Sequence, residues 1–258
     1  GGDLWMDRHW SGLGITLVQI GLTAVLRDAG VVPDYIFGHS VGEVACGYAD
    51  GCTSAREAAR IAYVRCDCAI NATGLMLAAG LSHAAAQQLI AECSLQTAVI
   101  VACNNSPDGV TLSGSSDAIQ EIKALLDERS VFARVVPTGG IAYHSLFFKQ
   151  NSAKIEQILG DAIRQSRAES GVTAQPPIAR SSKWLSTSSH AGATTYADEV
   201  YHMGNCTGMV DFAPVVASLP AGTVVVEVGP HSLLKSVLAR GNPGITSISC
   251  MTRLDTCF

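Results

Sequence analysis

The chain is poor in charge: Asp, Glu, Lys and Arg make up only 15% of its 258 residues, and the formal net charge is −5. A shortage of positive charge excludes nucleic acid and an anionic membrane surface as main partners. Apolar residues reach 48%, which supports a sizeable core and argues against disorder. Long hydrophobic runs are missing too. The longest, around Leu75 to Leu81, falls far short of a membrane span. No charged start leads into a hydrophobic stretch, so no secretory signal is expected. Metal-ligand spacing is absent as well. The nine cysteines are odd in number and scattered, Cys66-Asp67-Cys68 lacks the two-residue gap of a zinc knuckle, and no histidine pair stands at ligand spacing. The expectation is therefore a cytoplasmic protein with reduced, mostly buried thiols, in which the Asn-x-Ser/Thr triplets at Asn71, Asn104 and Asn205 are irrelevant as glycan sites.

One stretch organises the rest: Tyr35-Ile36-Phe37-Gly38-His39-Ser40-Val41-Gly42-Glu43. An apolar run of strand type stops at Gly38, and a helical pattern begins after Ser40. The residues between them form Gly-x-Ser-x-Gly, a nucleophile elbow. A sharp strand-to-helix turn strains the serine backbone and lifts its hydroxyl clear of the sheet. Gly38 and Gly42 leave room for close backbone approach, and the Val41 N–H is left at a helix N-terminus, where it is suited to receive an oxyanion.

Around the elbow the periodicity predicts alternating elements. A helix spans Leu13 to Arg27, closed by Gly30 and Pro33, and the elbow helix runs to about Tyr48. Ser54 with Glu57 forms a capping box for the next helix. Strands are expected at 75–81, 98–102, 110–113 and 131–136, with helices at 83–93 and 116–128. This is the βαββαβ order of a ferredoxin-like unit. Beyond Gly139-Gly140, a helix is expected at 144–159, a short strand at 184–187, short helices at 196–203 and 211–219, a buried strand at 223–228, a helix from Pro230 to Ala239, and a last strand at 245–250. Trp5 and Trp10 are expected to pack. The predicted fold class is α/β: a parallel-sheet, hydrolase-like core over residues 1–74 and 139–258 with an inserted ferredoxin-like subdomain over 75–138.

An elbow serine needs a base. His39 adjoins it in sequence and is read as structural, while His83, His190 and His202 are read as surface or capping groups. His231 is placed in the first turn of the C-terminal helix. His144 stands at the seam where the chain leaves the inserted unit, over the cleft where acid–base groups are expected. Arg65 lies on a mostly apolar helix. It is either a snorkelling surface residue or a clamp for a substrate carboxylate near the nucleophile.

The run from Gly38 to Cys52 resembles the nucleophile segment of the malonyl/acetyltransferase domain of animal-type fatty acid synthases, with polyketide synthase acyltransferases as more distant relatives. Further matches are Thr138 to Ser145, Lys183 to Ser188, Val224 to His231 and Met251-Thr252-Arg253. The resemblance implies Ser40 as the acyl-carrying nucleophile and His144 as its base, with Asn205 supplying the main-chain carbonyl that orients the imidazole. It implies Arg65 as the binder of the malonyl carboxylate, Val41 as one oxyanion donor, and Tyr143 as a pocket wall that bears on acyl selectivity. Implied substrates are malonyl- and acetyl-coenzyme A thioesters, with no permanently bound cofactor or metal. Implied partners are an acyl carrier protein and neighbouring fatty acid synthase domains.

The sequence departs from the family pattern in two places. Nothing like the family's opening strand and Gly-Gln-Gly loop precedes Leu13, which reads as an N-terminal truncation, and Thr207-Gly208-Met209 replaces a more apolar, proline-containing segment. The alternatives are a polyketide synthase acyltransferase, a serine hydrolase with an acid between serine and histidine in chain order, or an inactive fragment.

Overall fold

The computed structural model describes residues 8–69, 71–171 and 176–252. The packing expected of Trp5 and of the Trp10 side chain, and the Arg253 end of the last matching motif, lie outside them. Helix α1 (Arg8–Asp28) covers the predicted 13–27 pattern. It ends in a left-handed Gly30 (φ 80°), and the Val31 N–H turns back to the Leu26 carbonyl at 2.9 Å. Helix α2 (Gly42–Asp50) follows the elbow, and α3 (Ala55–Val64) starts at Ser54, whose hydroxyl accepts from the Glu57 N–H at 3.1 Å. The carboxylate of Glu57 forms an ion pair with Arg167 at 3.2 Å. Val44, Ile61, Ile155 and Leu159 share one core among these helices and a later one, α7 (Ser152–Glu169).

The middle of the chain forms β1 (Leu75–Ala79), α4 (His83–Glu92), β2 (Val99–Ser106), β3 (Gly109–Gly114), α5 (Ser116–Glu128) and β4 (Ala133–Val136). The strands lie in the order β4-β1-β3-β2 with every neighbouring pair antiparallel, the βαββαβ arrangement expected of a ferredoxin-like unit. Leu77, Leu112, Ile119 and Leu126 form the core under α4 and α5. Met76, next to Leu77 and so on the opposite face, packs with Phe212 and Val216 of the larger part. Both faces of the sheet are covered, which is why every residue of β3 is buried and why these strands read as continuous apolar runs.

Entry to and exit from this unit lie side by side. The Ala142 N–H donates to the Ala72 carbonyl at 2.8 Å and the Gly74 N–H to Gly140 at 2.9 Å. A Cβ on Gly74 would sit 2.2 Å from the Gly114 carbonyl oxygen, so only glycine fits there. The seam delivers Tyr143 and His144 directly beside the elbow.

The remaining elements are α6 (Leu146–Gln150), α7, α8 (Glu199–Thr207), β5 (Val210–Asp211), α9 (Phe212–Ser218), β6 (Val224–Glu227), α10 (Lys235–Gly241) and β7 (Thr246–Ser249). Strand β5 joins β2 in parallel, and β6 pairs with β7 in parallel. Among the described residues, no helix is long and apolar enough to cross a membrane.

Several expectations need correction. The elbow strand contracts to a single parallel bridge between Ile36 and Trp184, because the Gly38 N–H and C=O bond to side chains and not to a neighbouring strand. The helix predicted at 144–159 breaks at Asn151, whose side-chain amide captures the Phe147 carbonyl at 2.7 Å. The C-terminal helix begins at Lys235 and not at Pro230. The Glu227 carboxylate captures the N–H groups of Leu233 and Leu234 and the Ser232 hydroxyl, which holds this segment as a loop and leaves His231 outside any helical turn. His202 is not a surface group. It is fully buried on α8 beside Tyr201, and neither ring nitrogen has a hydrogen-bond partner among the described residues.

Burial pushes the His202 imidazole down from its ordinary 6.5 to about 3. Its pKa is lower in the folded state than in the unfolded one. The stability this neutral ring carries is therefore complete above pH 6.5 and is lost progressively as pH falls toward 3. His202→Phe should flatten part of the fall in unfolding temperature between pH 7 and 4, with half-buried His39 and buried His144, both lowered, contributing as well. Thermal unfolding across pH reads this directly. Separately, Leu77→Ala should cost about 2–5 kcal/mol in urea unfolding, since it opens a cavity where a side chain is fully buried.

Candidate active site

The elbow is strained where the sequence suggested. Ser40 has φ 54°, in the left-handed region that costs a non-glycine residue about 1–2 kcal/mol. A Cβ on Gly38 would lie 2.6 Å from the Glu43 nitrogen, so the first glycine is obligatory. The second is not. Among the described residues, a Cβ on Gly42 would meet only Gln19 Nε2, at an ordinary 3.8 Å, so of the two glycines it is Gly38 that needs the room.

What holds the strain is Glu43, three residues after the serine and fully buried. Its carboxylate accepts from Trp184 Nε1 at 3.0 Å, the Thr187 N–H at 3.0 Å, Ser186 Oγ at 3.2 Å and the Tyr201 hydroxyl. It also takes the Gly38 N–H at 3.4 Å, while Thr187 Oγ1 donates to the Gly38 carbonyl at 2.6 Å. Burial raises the Glu43 pKa and this set of donors works against the rise. The network fastens the residue before the turn to the helix after it.

Ser40 Oγ lies 2.7 Å from His144 Nε2. His144 is itself held at φ 56° and is 3% exposed. Its Nδ1 faces the Gly208 carbonyl at 3.0 Å, which fixes the tautomer that leaves the Nε2 lone pair toward the serine. This corrects the role expected of Asn205: the orienting carbonyl belongs to Gly208, three residues further on. Asn205 instead offers its side-chain Oδ1 to Arg65 Nη1 at 2.7 Å. Burial, and then the charge of Arg65, push the His144 pKa down to about 3, with the Gly208 bond acting in the opposite sense.

Arg65 ends α3 half-buried and tied to Asn205, so its head does not snorkel to the surface. Ser40, Val41, Arg65, Tyr143 and His144 line one cleft of about 200 Å³, closed on one side by Phe148. The Tyr143 and Phe148 ring centroids are 6.2 Å apart. Of the residues singled out from sequence, only Asn205 stays off the cleft wall. Glu43, Gly208 and Thr187 were missed. An acid within the apolar run Val41-Gly42-Glu43-Val44-Ala45 was the available signal for Glu43. For Gly208 the signal was its segment, since Thr207-Gly208-Met209 departs from the family pattern beside Asn205, but with 64 residues between it and His144 the sequence did not single out its carbonyl.

The family model described as acyl transferase domain matches residues 5–252. The highly reducing polyketide synthase 19 of Pyricularia oryzae is 40% identical over 229 residues, covering 85% of this chain and 9% of that protein. The highly reducing polyketide synthase fogA of Aspergillus ruber is 36% identical over 228 residues, with the same coverage. The chain thus spans about a tenth of the length of the curated relatives it matches. These relatives are polyketide synthases and not the animal-type fatty acid synthases that the elbow resembles.

Among solved structures, the acyltransferase domain of phenolphthiocerol/phthiocerol synthase A from Mycobacterium bovis superposes with a TM-score of 0.79 at 23% identity, over 98% of this chain and 96% of that one. FabD from Acinetobacter baumannii gives 0.80 at 22% identity, over 98% and 79%. At such identities the likeness speaks for the fold alone, and it is the fold described above. With the family model running through the elbow, the seam and β6–β7, the chain belongs to the acyl transferase domain family and is related to the acyltransferase domains of polyketide synthases.

Proposed function

We propose that this domain loads a malonyl-type acyl group from coenzyme A onto the pantetheine thiol of an acyl carrier protein within a polyketide synthase. The observation that carries the reading is the shared cleft: a serine–histidine contact of 2.7 Å with an arginine on the same wall. His144 takes the Ser40 proton as the hydroxyl oxygen attacks the thioester carbonyl. The Val41 N–H, at the start of α2, receives the oxyanion. Collapse of the tetrahedral intermediate expels the coenzyme A thiolate, which His144 protonates, and leaves an acyl-serine. The carrier thiol then gives its proton to His144 and attacks, returning Ser40 to its hydroxyl form. Neighbouring synthase domains supply the carrier.

Arg65, steadied by Asn205, is the clamp for the free carboxylate of the acyl group. It also sets an electrostatic condition. Its charge disfavours an imidazolium at His144, and a carboxylate paired with it offsets that penalty as the proton arrives. An anionic acyl group therefore improves its own transfer. Tyr143, with Phe148 behind it, bounds the space left for a substituent on the acyl group.

Incubation with malonyl-coenzyme A should add one malonyl mass to Ser40 in intact-protein mass spectrometry, and Ser40→Ala should add none. Arg65→Ala should depress malonyl transfer at least about a hundredfold, on the scale of a lost charge-assisted bidentate contact, and acetyl transfer far less. Equal losses would sink the clamp. The same substitution should raise the His144 pKa, so the acid limb of acetyl transfer moves to higher pH, because a charge that depressed the imidazole is gone.

A further inference from the structure

Three consecutive residues of the elbow are held from three different directions. Gly38 is fastened by Glu43 and Thr187, and Ser40 meets His144. His39, between them, is held by the βαββαβ unit. Its Nε2 lies 2.8 Å from Asn105 Oδ1, and Phe212 stands edge-on to the ring at 5.3 Å. The Asn105 amide is not free to turn, because its Nδ2 donates to Thr111 Oγ1 at 3.0 Å on β3. Thr111 is itself paired across the ladder with Cys103 on β2.

Asn105 reaches the elbow through a defect in the ladder. Asn104 pairs with Val110 and Ser106 with Gly109, which leaves Asn105 as the extra residue of a bulge at the end of β2. A bulge re-aims a side chain that regular pairing would place elsewhere. Here it points the amide oxygen at the ring of the residue preceding the serine. With Oδ1 accepting, His39 carries its proton on Nε2.

We propose that Asn105 is a positioning residue for the nucleophile: the bulge of β2 grips His39, fixes its tautomer and thereby holds Ser40 in its left-handed conformation. The proposal rests on the reading of Ser40 as the nucleophile. A strained residue persists only where its surroundings over-determine it, and Asn105 supplies the constraint that the Glu43 network does not reach. The inserted unit then acts on the chemistry through the backbone of the elbow and not only as a wall of the cleft.

The test is the rate at which a small fluorophosphonate labels Ser40, since this probe bypasses coenzyme A binding. Asn105→Ala should slow labelling about ten- to a hundredfold, the scale of a misplaced reacting atom, while leaving KM for malonyl-coenzyme A in place. Asn105→Asp, which keeps an acceptor for His39, should recover part of the rate. Nitrogen-15 spectra should show the Nε2–H tautomer of His39 in the native domain and a mixture of tautomers in Asn105→Ala. A folded Asn105→Ala domain that labels at the native rate overturns the proposal. Where that variant fails to fold, Thr111→Val decides: it releases the amide without touching His39, and native-rate labelling there is equally fatal. Failure of the native domain to label at all would instead overturn the assignment of Ser40.

Discussion

The site depends on one buried carboxylate. A left-handed serine is unfavourable by about 1–2 kcal/mol, and a sharp turn has no ladder of its own to oppose that cost. Glu43 opposes it by collecting donors from the chain on both sides of the turn and from α8. Trp184, Ser186 and Thr187 come from a segment more than 140 residues away in sequence, and Tyr201 from further still. Burying an unpaired carboxylate would be ruinous; burying one with this many donors turns the desolvation penalty into a demand for one geometry. The same donors pin Gly38, whose missing Cβ lets the helix start close against it.

With the serine fixed, the histidine needs only an orienting acceptor. A main-chain carbonyl at Gly208 suffices to set the tautomer, and it brings no negative charge into the cleft. An aspartate in that place would stabilise the imidazolium at all times. Here burial first, and then the cation of Arg65, keep the resting ring neutral and ready to accept a proton. In the proposed transfer, stabilisation of the charged ring falls to an anionic acyl group.

The sequence made the local features legible and missed those that depend on contacts between distant segments. The elbow, the Ser54 cap and the βαββαβ order were readable because each is written within a few residues or in an uninterrupted rhythm. The strand before the elbow was over-read. Apolar Ile36 and Phe37 have the right composition, yet the backbone groups of Gly38 are claimed by side chains from residues 43 and 187. Periodicity also carried a helix through Asn151 and started another at Pro230. In both places a side chain, Asn151 itself or Glu227, competes for backbone groups that a helix would use. His202 looked like a polar helix-start residue because burial of α8 on nearly all sides is decided by its neighbours and not by its own pattern.

The residues proposed to do the chemistry are also the least informative about pathway. In the proposed reaction Ser40, His144 and Arg65 answer requirements set by a thioester carbonyl, a proton and a carboxylate, and those requirements are the same whichever assembly line receives the acyl group. The long elbow match to fatty acid synthases reflects this, since Gly38 and Glu43 are dictated by the geometry of the turn. Pathway information resides instead in similarity spread over the whole domain, where 40% identity across 229 residues connects the chain to a polyketide synthase. Such positions answer first to packing. Tyr143 belongs to both sets: it touches the cleft, and its ring packs against Phe148 on α6. Under the proposed function, Tyr143 is where the reacting groups meet the packed wall of the cleft.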